Sequence, residues 1–141
     1  MIKVLILDDS SDYLRALRGA LRQEFEVLTA ENLATAQKFL AEAVRVVLID
    51  VRLSEADETN RAGLVFLQWA KERHPGIAML MMSAYRNFDV AVEALNTGAD
   101  YFLRKPIDLH QLKDLLHEFG EKGLRPKHTA ALRRQKEGKG E

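Results

Sequence analysis

Short apolar runs alternate along the chain with longer segments in which apolar residues recur every three or four positions. The short runs predict five β-strands, at residues 2–7, 25–29, 44–49, 77–82 and 100–103. The first, third and fourth runs are almost unbroken, which is typical of strands buried on both faces of a sheet. The segments between and after them predict five amphipathic helices, at about residues 11–24, 33–43, 62–73, 88–97 and 109–119. Regular alternation of this kind predicts an α/β fold with a parallel sheet and helices on both faces.

Polar residues and glycine mark the ends of the predicted helices. Ser10 or Ser11 is a suitable cap for the first helix, Asn32 for the second and Asp108 for the fifth. Gly98 directly follows the fourth helix, where a C-terminal glycine is common. These signals agree with the apolar pattern and strengthen the predicted order of elements.

Composition restricts the class of protein without identifying it. The chain has 141 residues, of which 47% are hydrophobic and 30% charged, so we expect one globular domain with a real core. The absence of cysteine excludes disulfide scaffolds and thiolate metal sites. No apolar run approaches the ~20 residues of a membrane span, and no signal peptide is recognisable, so we expect a cytoplasmic protein.

Charge is unevenly distributed, although basic and acidic residues number 21 each. Residues 120–141 hold seven basic residues against three acidic ones, which leaves residues 1–119 with the matching excess of acids. The globular part therefore has no basic surplus that would favour nucleic acid. The apolar period fades beyond Gly120, so we predict a domain over residues 1–119 and a basic C-terminal tail over 120–141, forming a short helix, a disordered end or a linker.

Four predicted strands end beside side chains that can take part in chemistry. Asp8 and Asp9 follow the first strand, Asp50 the third, Ser83 the fourth, and Lys105 lies just beyond the fifth. A parallel sheet brings the carboxyl ends of its strands to one edge, where ligand sites of α/β proteins form. Three carboxylates, a hydroxyl and an ammonium at one edge suit a divalent cation and a phosphoryl group.

Each of these residues also has an ordinary structural use. An acid pair can cap a helix, a strand-end aspartate or serine can stabilise a turn, and a lysine is usually exposed. Pro106 makes a cis bond after Lys105 possible, although trans is the common state. Tyr101, at the start of the fifth strand, would by itself be read as half-buried packing. The functional prediction depends on their joint occurrence at successive strand ends.

As a set, these residues give the chain a strong resemblance to a known family. The acid pair Asp8-Asp9, the strand-end Asp50, Ser83-Ala84, Tyr101 and Lys105-Pro106 resemble the motifs of the receiver domain of bacterial two-component response regulators, the CheY-like superfamily. The resemblance covers about residues 1–119. It implies a flavodoxin-like, doubly wound sheet of five parallel strands in the order 2-1-3-4-5 with five helices.

The resemblance also implies roles for individual residues. Asp50 would accept a phosphoryl group from a histidine kinase or a phosphotransfer protein, and Ser83 and Lys105 would bind the phosphoryl oxygens. Asp8, Asp9, Asp50 and the backbone carbonyl of Arg52 would hold Mg²⁺. Ser83 and Tyr101 would form the switch pair that reports phosphorylation, as part of a signalling switch rather than a turnover enzyme.

Two features depart from the family pattern. The position four residues after Asp50 is Ser54 instead of the usual proline, and the next glycine is Gly63. The acidic stretch 54–61 is about five residues longer than usual, which is either a tolerated surface insertion or a recognition loop. We also expect Arg52 and Tyr85 to flank the route of hydrolytic water and to extend the life of an acyl phosphate.

Several alternatives remain open. We favour a stand-alone regulator that binds an output protein or forms a homodimer through the face made by the fourth helix, fifth strand and fifth helix. A receiver cut from a longer DNA-binding or enzymatic regulator is the first alternative, and a pseudo-receiver that is never phosphorylated is the second. A Mg²⁺-dependent aspartyl phosphatase would need a second aspartate where Arg52 lies, and a flavin carrier would need a glycine-rich turn after the first strand.

Overall fold

A computed structural model of the chain describes residues 1–53, 60–84 and 88–122. Strands and helices alternate strictly through this part of the chain. The strands are β1 (Ile2–Leu7), β2 (Phe25–Ala30), β3 (Val46–Asp50), β4 (Ala78–Ser83) and β5 (Tyr101–Arg104). The helices are α1 (Ser11–Leu21), α2 (Leu33–Phe39), α3 (Ala62–Arg73), α4 (Phe88–Thr97) and α5 (Leu109–Lys122). Every strand pairing is parallel and the order is β2-β1-β3-β4-β5, which confirms the predicted flavodoxin-like topology.

Alternate residues of the central strands enter two separate cores. On β1, Val4 and Ile6 pack with α1 and α5, while Leu5 and Leu7 pack on the opposite face with α2, α3 and α4. All four side chains are fully buried. The side chains of a strand point alternately to its two faces, so an unbroken apolar run serves both layers at once.

Some element boundaries differ from the sequence prediction. Strand β3 begins at Val46 and includes Asp50 as its last residue, whereas the prediction began the strand at residue 44 and placed Asp50 after it. Helix α1 ends at Leu21 and α2 at Phe39, earlier than predicted, and Ala43 adopts a left-handed backbone with φ 61°. Helix α5 continues to Lys122, past the predicted end at residue 119.

The predicted helix caps are confirmed. Ser10 Oγ accepts a hydrogen bond from the Tyr13 amide, and Asn32 Oδ1 accepts one from the Thr35 amide. Asp108 Oδ1 accepts from the Gln111 amide, and Gly98 ends α4 with φ 119°. Each such side-chain cap typically contributes about 1 kcal/mol. Within the described residues, no helix has the length and apolar character that crossing a membrane requires.

Three predicted features lie outside the described residues. They are the loop residues 54–59, Tyr85, and the basic tail beyond residue 122. Predictions about the acidic loop, about the shielding role of Tyr85 and about the tail therefore remain predictions.

Candidate functional site

The carboxyl edge of the sheet gathers the polar residues that the sequence scattered over about a hundred positions. Asp50 is the last residue of β3 and lies opposite Met82 on β4, so Ser83 extends one residue beyond it. Ser83 in turn lies opposite Arg104, the residue before Lys105. Asp8 follows β1, which is the other neighbour of β3. The parallel register alone therefore brings these four positions to one edge.

Lys105 joins two of these strand ends through its side chain. Its Nζ donates to Asp8 Oδ2 at 2.8 Å and to Asp50 Oδ2 at 3.4 Å. The side chains of Asp8 and Asp50 are 0% and 9% exposed, and that of Lys105 is 17% exposed. The Lys105 ammonium is thus a largely buried counter-ion of the two carboxylates, whereas most lysine side chains in proteins are exposed to solvent. The peptide bond that follows, Lys105–Pro106, is cis.

Three carboxylates surround the same point. Asp8, Asp9 and Asp50 each offer one oxygen, and these oxygens lie within 4.8 Å of one another. Hard divalent cations prefer carboxylate and carbonyl oxygens, and Mg²⁺ typically needs only one or two carboxylates because it keeps several waters. The site has three carboxyl groups and one ammonium, which contacts those of Asp8 and Asp50, so acidic groups are in excess. The donor set therefore fits the predicted Mg²⁺ site.

The electrostatic environment raises the pKa of Asp50 to about 7. Burial is the main cause, because it disfavours the charged form, and the nearby charge of Asp8 adds to it. Lys105 and the Arg52 amide, whose nitrogen lies 3.4 Å from Asp50 Oδ1, oppose the increase. The ionisation of the Asp50 carboxyl near neutral pH is therefore sensitive to any cation that binds close to it.

The pKa of Lys105 is raised despite its burial. Burial by itself would lower the pKa, but the hydrogen bond to Asp8 and the charges of Asp50 and Asp8 outweigh it. The ammonium form is consequently favoured, which is the form that can bind a phosphoryl oxygen as a point charge.

The backbone after Asp50 is held by Asn60, two residues before α3, and by Gly63, in the first turn of that helix. Asn60 Oδ1 accepts hydrogen bonds from the Leu53 and Ala62 amides, both at 3.0 Å. The Gly63 amide donates to the Val51 carbonyl at 2.9 Å. The long β3–α3 connection is therefore closed at its base by a side chain and a backbone contact, close to the predicted metal ligand Arg52.

Ser83 and Tyr101, the predicted switch pair, lie at different positions along the strand direction of the sheet. Ser83 is 1% exposed, and its carbonyl accepts the Lys105 amide at 2.8 Å. Tyr101 pairs with Leu80, three residues before Ser83, so about 10 Å of strand separates the two levels. The Tyr101 hydroxyl accepts an exposed hydrogen bond from Gln111 Nε2 at 3.3 Å. The described contacts join Ser83 to the site through its backbone and leave Tyr101 at the surface of α5.

Sequence reasoning missed Tyr13, in the first turn of α1. The Lys105 ammonium lies 4.4 Å from the centre of its ring, within the range of a cation–π interaction. Burial raises the pKa of the Tyr13 hydroxyl, although the charge of Lys105 acts against this. The available signal was an aromatic residue three positions after the capping Ser10, on a helix that begins two residues after the acid pair.

Comparison with known proteins agrees with the geometry. A family model described as the response regulator receiver domain matches residues 4–117. The chain is 36% identical over 116 residues to the response regulator protein PilR of Pseudomonas aeruginosa, covering 81% of this chain and 25% of PilR. It is 35% identical over 130 residues to the transcriptional regulatory protein ZraR of Escherichia coli K12, covering 91% of this chain and 27% of ZraR. The chain thus spans about a quarter of the length of these curated relatives.

Solved structures show the same architecture. The receiver domain of NtrX from Brucella abortus matches with a TM-score of 0.72 and 29% identity, over 84% of this chain and 98% of that domain. A CheY-like receiver domain protein from Methanospirillum hungatei JF-1 matches with a TM-score of 0.75 over 86% of this chain and 94% of its own length. At 24% identity the second likeness supports the fold alone.

Proposed function

Because the chain belongs to the response regulator receiver domain family, we propose that it accepts a phosphoryl group on Asp50 and thereby switches the binding of a partner protein. One observation carries the assignment of Asp50: the Lys105 ammonium bridges its carboxylate and that of Asp8 in a largely buried site. This arrangement suits the arrival of a phosphoryl group.

The proposed reaction is a transfer between a phosphohistidine and Asp50. The Asp50 carboxylate oxygen forms a bond to phosphorus while the bond from phosphorus to the donor imidazole breaks, which leaves a mixed anhydride on Asp50 and a free histidine. Such transfer depends mainly on positioning and on neutralising the phosphoryl charge. Lys105 is already held toward Asp50 and would bind a phosphoryl oxygen, as would the Ser83 hydroxyl at the adjoining strand end.

Asp8, Asp9, Asp50 and the Arg52 carbonyl are the proposed ligands of Mg²⁺. When bound, the ion supplies positive charge that offsets both the clustered carboxylates and the incoming phosphoryl oxygens. The close approach of three carboxylate oxygens supports this set. The hydrogen bonds of Asn60 and Gly63 would hold the Arg52 backbone in place for the ion.

The proposed output is a rearrangement of the β4–α4 connection. Ser83 would move toward the phosphoryl group, and Tyr101 would leave its surface hydrogen bond with Gln111 and turn inward. Exposed apolar residues on α4, namely Phe88, Val92 and Leu95, would then be part of the α4–β5–α5 face that contacts an output protein or a second copy. The donor would be a histidine kinase or a phosphotransfer protein, and the chain would act in the cytoplasm as a switch.

A second candidate is the same receiver working as one part of a larger regulator. Its support is that the chain spans about a quarter of PilR and ZraR, the latter named as a transcriptional regulatory protein. In that case the α4–β5–α5 face would contact a neighbouring domain. A receiver that is never phosphorylated is disfavoured by the complete set of acids, hydroxyl and lysine at one edge.

Incubation with acetyl phosphate and Mg²⁺, followed by intact mass measurement, tests the proposal. We expect the wild type to gain one phosphoryl group, and to gain none in EDTA. Asp50→Asn should gain none under either condition, while Asp114→Asn, an exposed aspartate on α5, should behave like the wild type. A phosphoryl group on Asp50→Asn, or none on the wild type with Mg²⁺, would contradict the proposed function.

A further inference from the structure

The Lys105 ammonium is enclosed on three sides, and two of them are carboxylates. An ammonium has three N–H donors, and the contacts to Asp8 Oδ2 and Asp50 Oδ2 account for two. The ring of Tyr13 lies 4.4 Å away and occupies a further side. The face of an aromatic ring carries negative potential, so it attracts the cation without competing for its proton.

Tyr13 is fixed by contacts that do not involve Lys105. Its ring packs against the core cluster formed under α1 and α5, and its amide is bonded by the Ser10 cap at 3.2 Å. The ring is therefore anchored independently of Lys105, while a lysine side chain has four rotatable bonds and tends to move toward water. A core-anchored ring beside the ammonium favours positions of the ammonium close to that ring.

The two carboxylates do not hold the ammonium equally. The bond to Asp8 is 2.8 Å long and the contact with Asp50 is 3.4 Å, so Lys105 is drawn mainly toward the residue that is not phosphorylated. A phosphoryl group on Asp50 needs the ammonium on the Asp50 side. The Tyr13 ring, 4.4 Å from the ammonium, is a further attraction that opposes its withdrawal from the site.

We propose that Tyr13 is a positioning residue that holds the Lys105 ammonium beside Asp50 through the face of its ring, and so speeds phosphoryl transfer. The inference rests on the proposed function of Asp50 and deepens it. The competing explanation is that Tyr13 only fills space in the core. Leucine would fill much of the same space without a π face, and phenylalanine would keep the ring without the hydroxyl.

The first measurement tests whether the Lys105 side chain lies over the face of the Tyr13 ring, and it needs no phosphorylation. A ring face close to the ammonium should shift the NMR signals of the Lys105 ε-methylene protons upfield. We expect this shift in the wild type and in Tyr13→Phe, and its loss in Tyr13→Leu. Lys113, which pairs with Glu24 on another part of the surface, is the internal control whose signals should not change. Absence of the shift in the wild type would overturn the proposal.

The second measurement is the rate of phosphoryl uptake from acetyl phosphate with saturating Mg²⁺. We expect Tyr13→Phe to retain the wild-type rate and Tyr13→Leu to be about 3- to 10-fold slower, the size that a partly buried cation–π contact implies. The same two substitutions are then made with Lys105→Met. Because Tyr13 is proposed to act through the ammonium, Tyr13→Leu should cause no further loss in that background.

Several results would overturn the role of Tyr13. They are a wild-type rate in Tyr13→Leu, an equal loss in Tyr13→Phe, or an undiminished effect of Tyr13→Leu when Lys105 is methionine. The last result would identify a purely structural role. Failure of the proposed function has a different signature, because the wild type would then gain no phosphoryl mass while the Lys105 methylene shift persisted.

Discussion

Gly63 lies directly against the carbonyl group of Asp50. A Cβ atom at position 63 would stand 1.9 Å from the Asp50 carbonyl oxygen and 2.8 Å from the Asp50 carbonyl carbon. These are backbone atoms of a buried strand, which cannot move aside as the end of a side chain could. Helix α3 therefore reaches the strand end that carries Asp50 only because residue 63 has no side chain.

We predict that Gly63→Ala destabilises the protein by about 1–3 kcal/mol, the usual cost of overpacking a tight site. It should also slow phosphoryl uptake, since either α3 or the Asp50 backbone must shift. Urea unfolding followed by the fluorescence of Trp69, the single tryptophan, measures the first effect.

Gly19→Ala is a matched control for this prediction. Gly19 is in helix α1, and a Cβ there would meet nothing within 4 Å. The same chemical change should stabilise the protein by roughly 0.5–1 kcal/mol, because alanine favours helix. Similar effects of the two substitutions would contradict the packing assigned to Gly63.

Asn60→Ala should lower the free energy of unfolding by about 1–2 kcal/mol, because the Leu53 and Ala62 amides both lose their hydrogen-bond acceptor. Asn60→Asp keeps an oxygen in place and should retain most of the stability. Asn96→Ala, at an exposed position on α4, should change stability by less than about 0.5 kcal/mol. Calorimetry of the three variants checks this order, and a neutral Asn60→Ala would show that its two hydrogen bonds contribute little.

Asp50→Asn should stabilise the metal-free protein at neutral and alkaline pH. The folded pKa of about 7 is above the ordinary value of 3.8, so the folded state retains a proton that the unfolded chain has released. Wild-type stability should therefore fall as pH rises from about 4 to 7, and the variant should lack that decrease. The shift corresponds to roughly 4 kcal/mol at pH values well above 7.

Unfolding in EDTA at several pH values tests this prediction. The advantage of Asp50→Asn should be largest at about pH 8 and should shrink toward pH 4. Adding Mg²⁺ should stabilise the wild type more than the variant, because a ligand that binds only the folded state stabilises it. Equal stability of the two proteins at pH 8 in EDTA would contradict the environment assigned to Asp50.

Glu24 should make the stability of the protein depend on pH with a sign opposite to that of Asp50. Hydrogen bonds from His117 and then Lys113 hold the pKa of Glu24 below its ordinary value of 4.5. Its contribution to stability is therefore present above pH 4.5 and is lost as pH falls through the folded value.

Glu24→Gln should accordingly lower the free energy of unfolding more near pH 6 than near pH 3. High salt should diminish the difference, since exposed ion pairs are screened. Chemical unfolding at the two pH values, with and without salt, is the measurement. A loss that is the same at both pH values would mean that the charge of Glu24 is not its source.

The sequence predicted the fold because its signals are local and repeated. Unbroken apolar runs identified the central strands, and Ser10, Asn32 and Asp108 cap the predicted helices. Helix ends were less predictable. Apolar residues continue beyond Phe39, so periodicity alone extended α2 past the point where the backbone leaves the helix, and Ala43 turns left-handed.

The strand-end residues were predictable for a different reason, since a parallel sheet collects them wherever they fall in sequence. Tyr13 and Asn60 were not predictable, because their roles depend on distances between segments. A tyrosine in a first helical turn and an asparagine in a polar loop are both ordinary locally. Only the folded arrangement shows that one faces the Lys105 ammonium and that the other ties Leu53 to Ala62.

Lys105 is bound to its surroundings by two independent routes. Its main-chain nitrogen is bonded to the Ser83 carbonyl, and its amine reaches across to the ends of β1 and β3. Under the proposed function, one residue therefore joins the phosphorylation site to β4. When the Lys105 amine moves toward a phosphoryl group on Asp50, its main-chain hydrogen bond would transmit that movement to Ser83 at the end of β4. Substituting Lys105 should consequently prevent phosphorylation of Asp50 from changing partner binding, even in a protein that can still be phosphorylated.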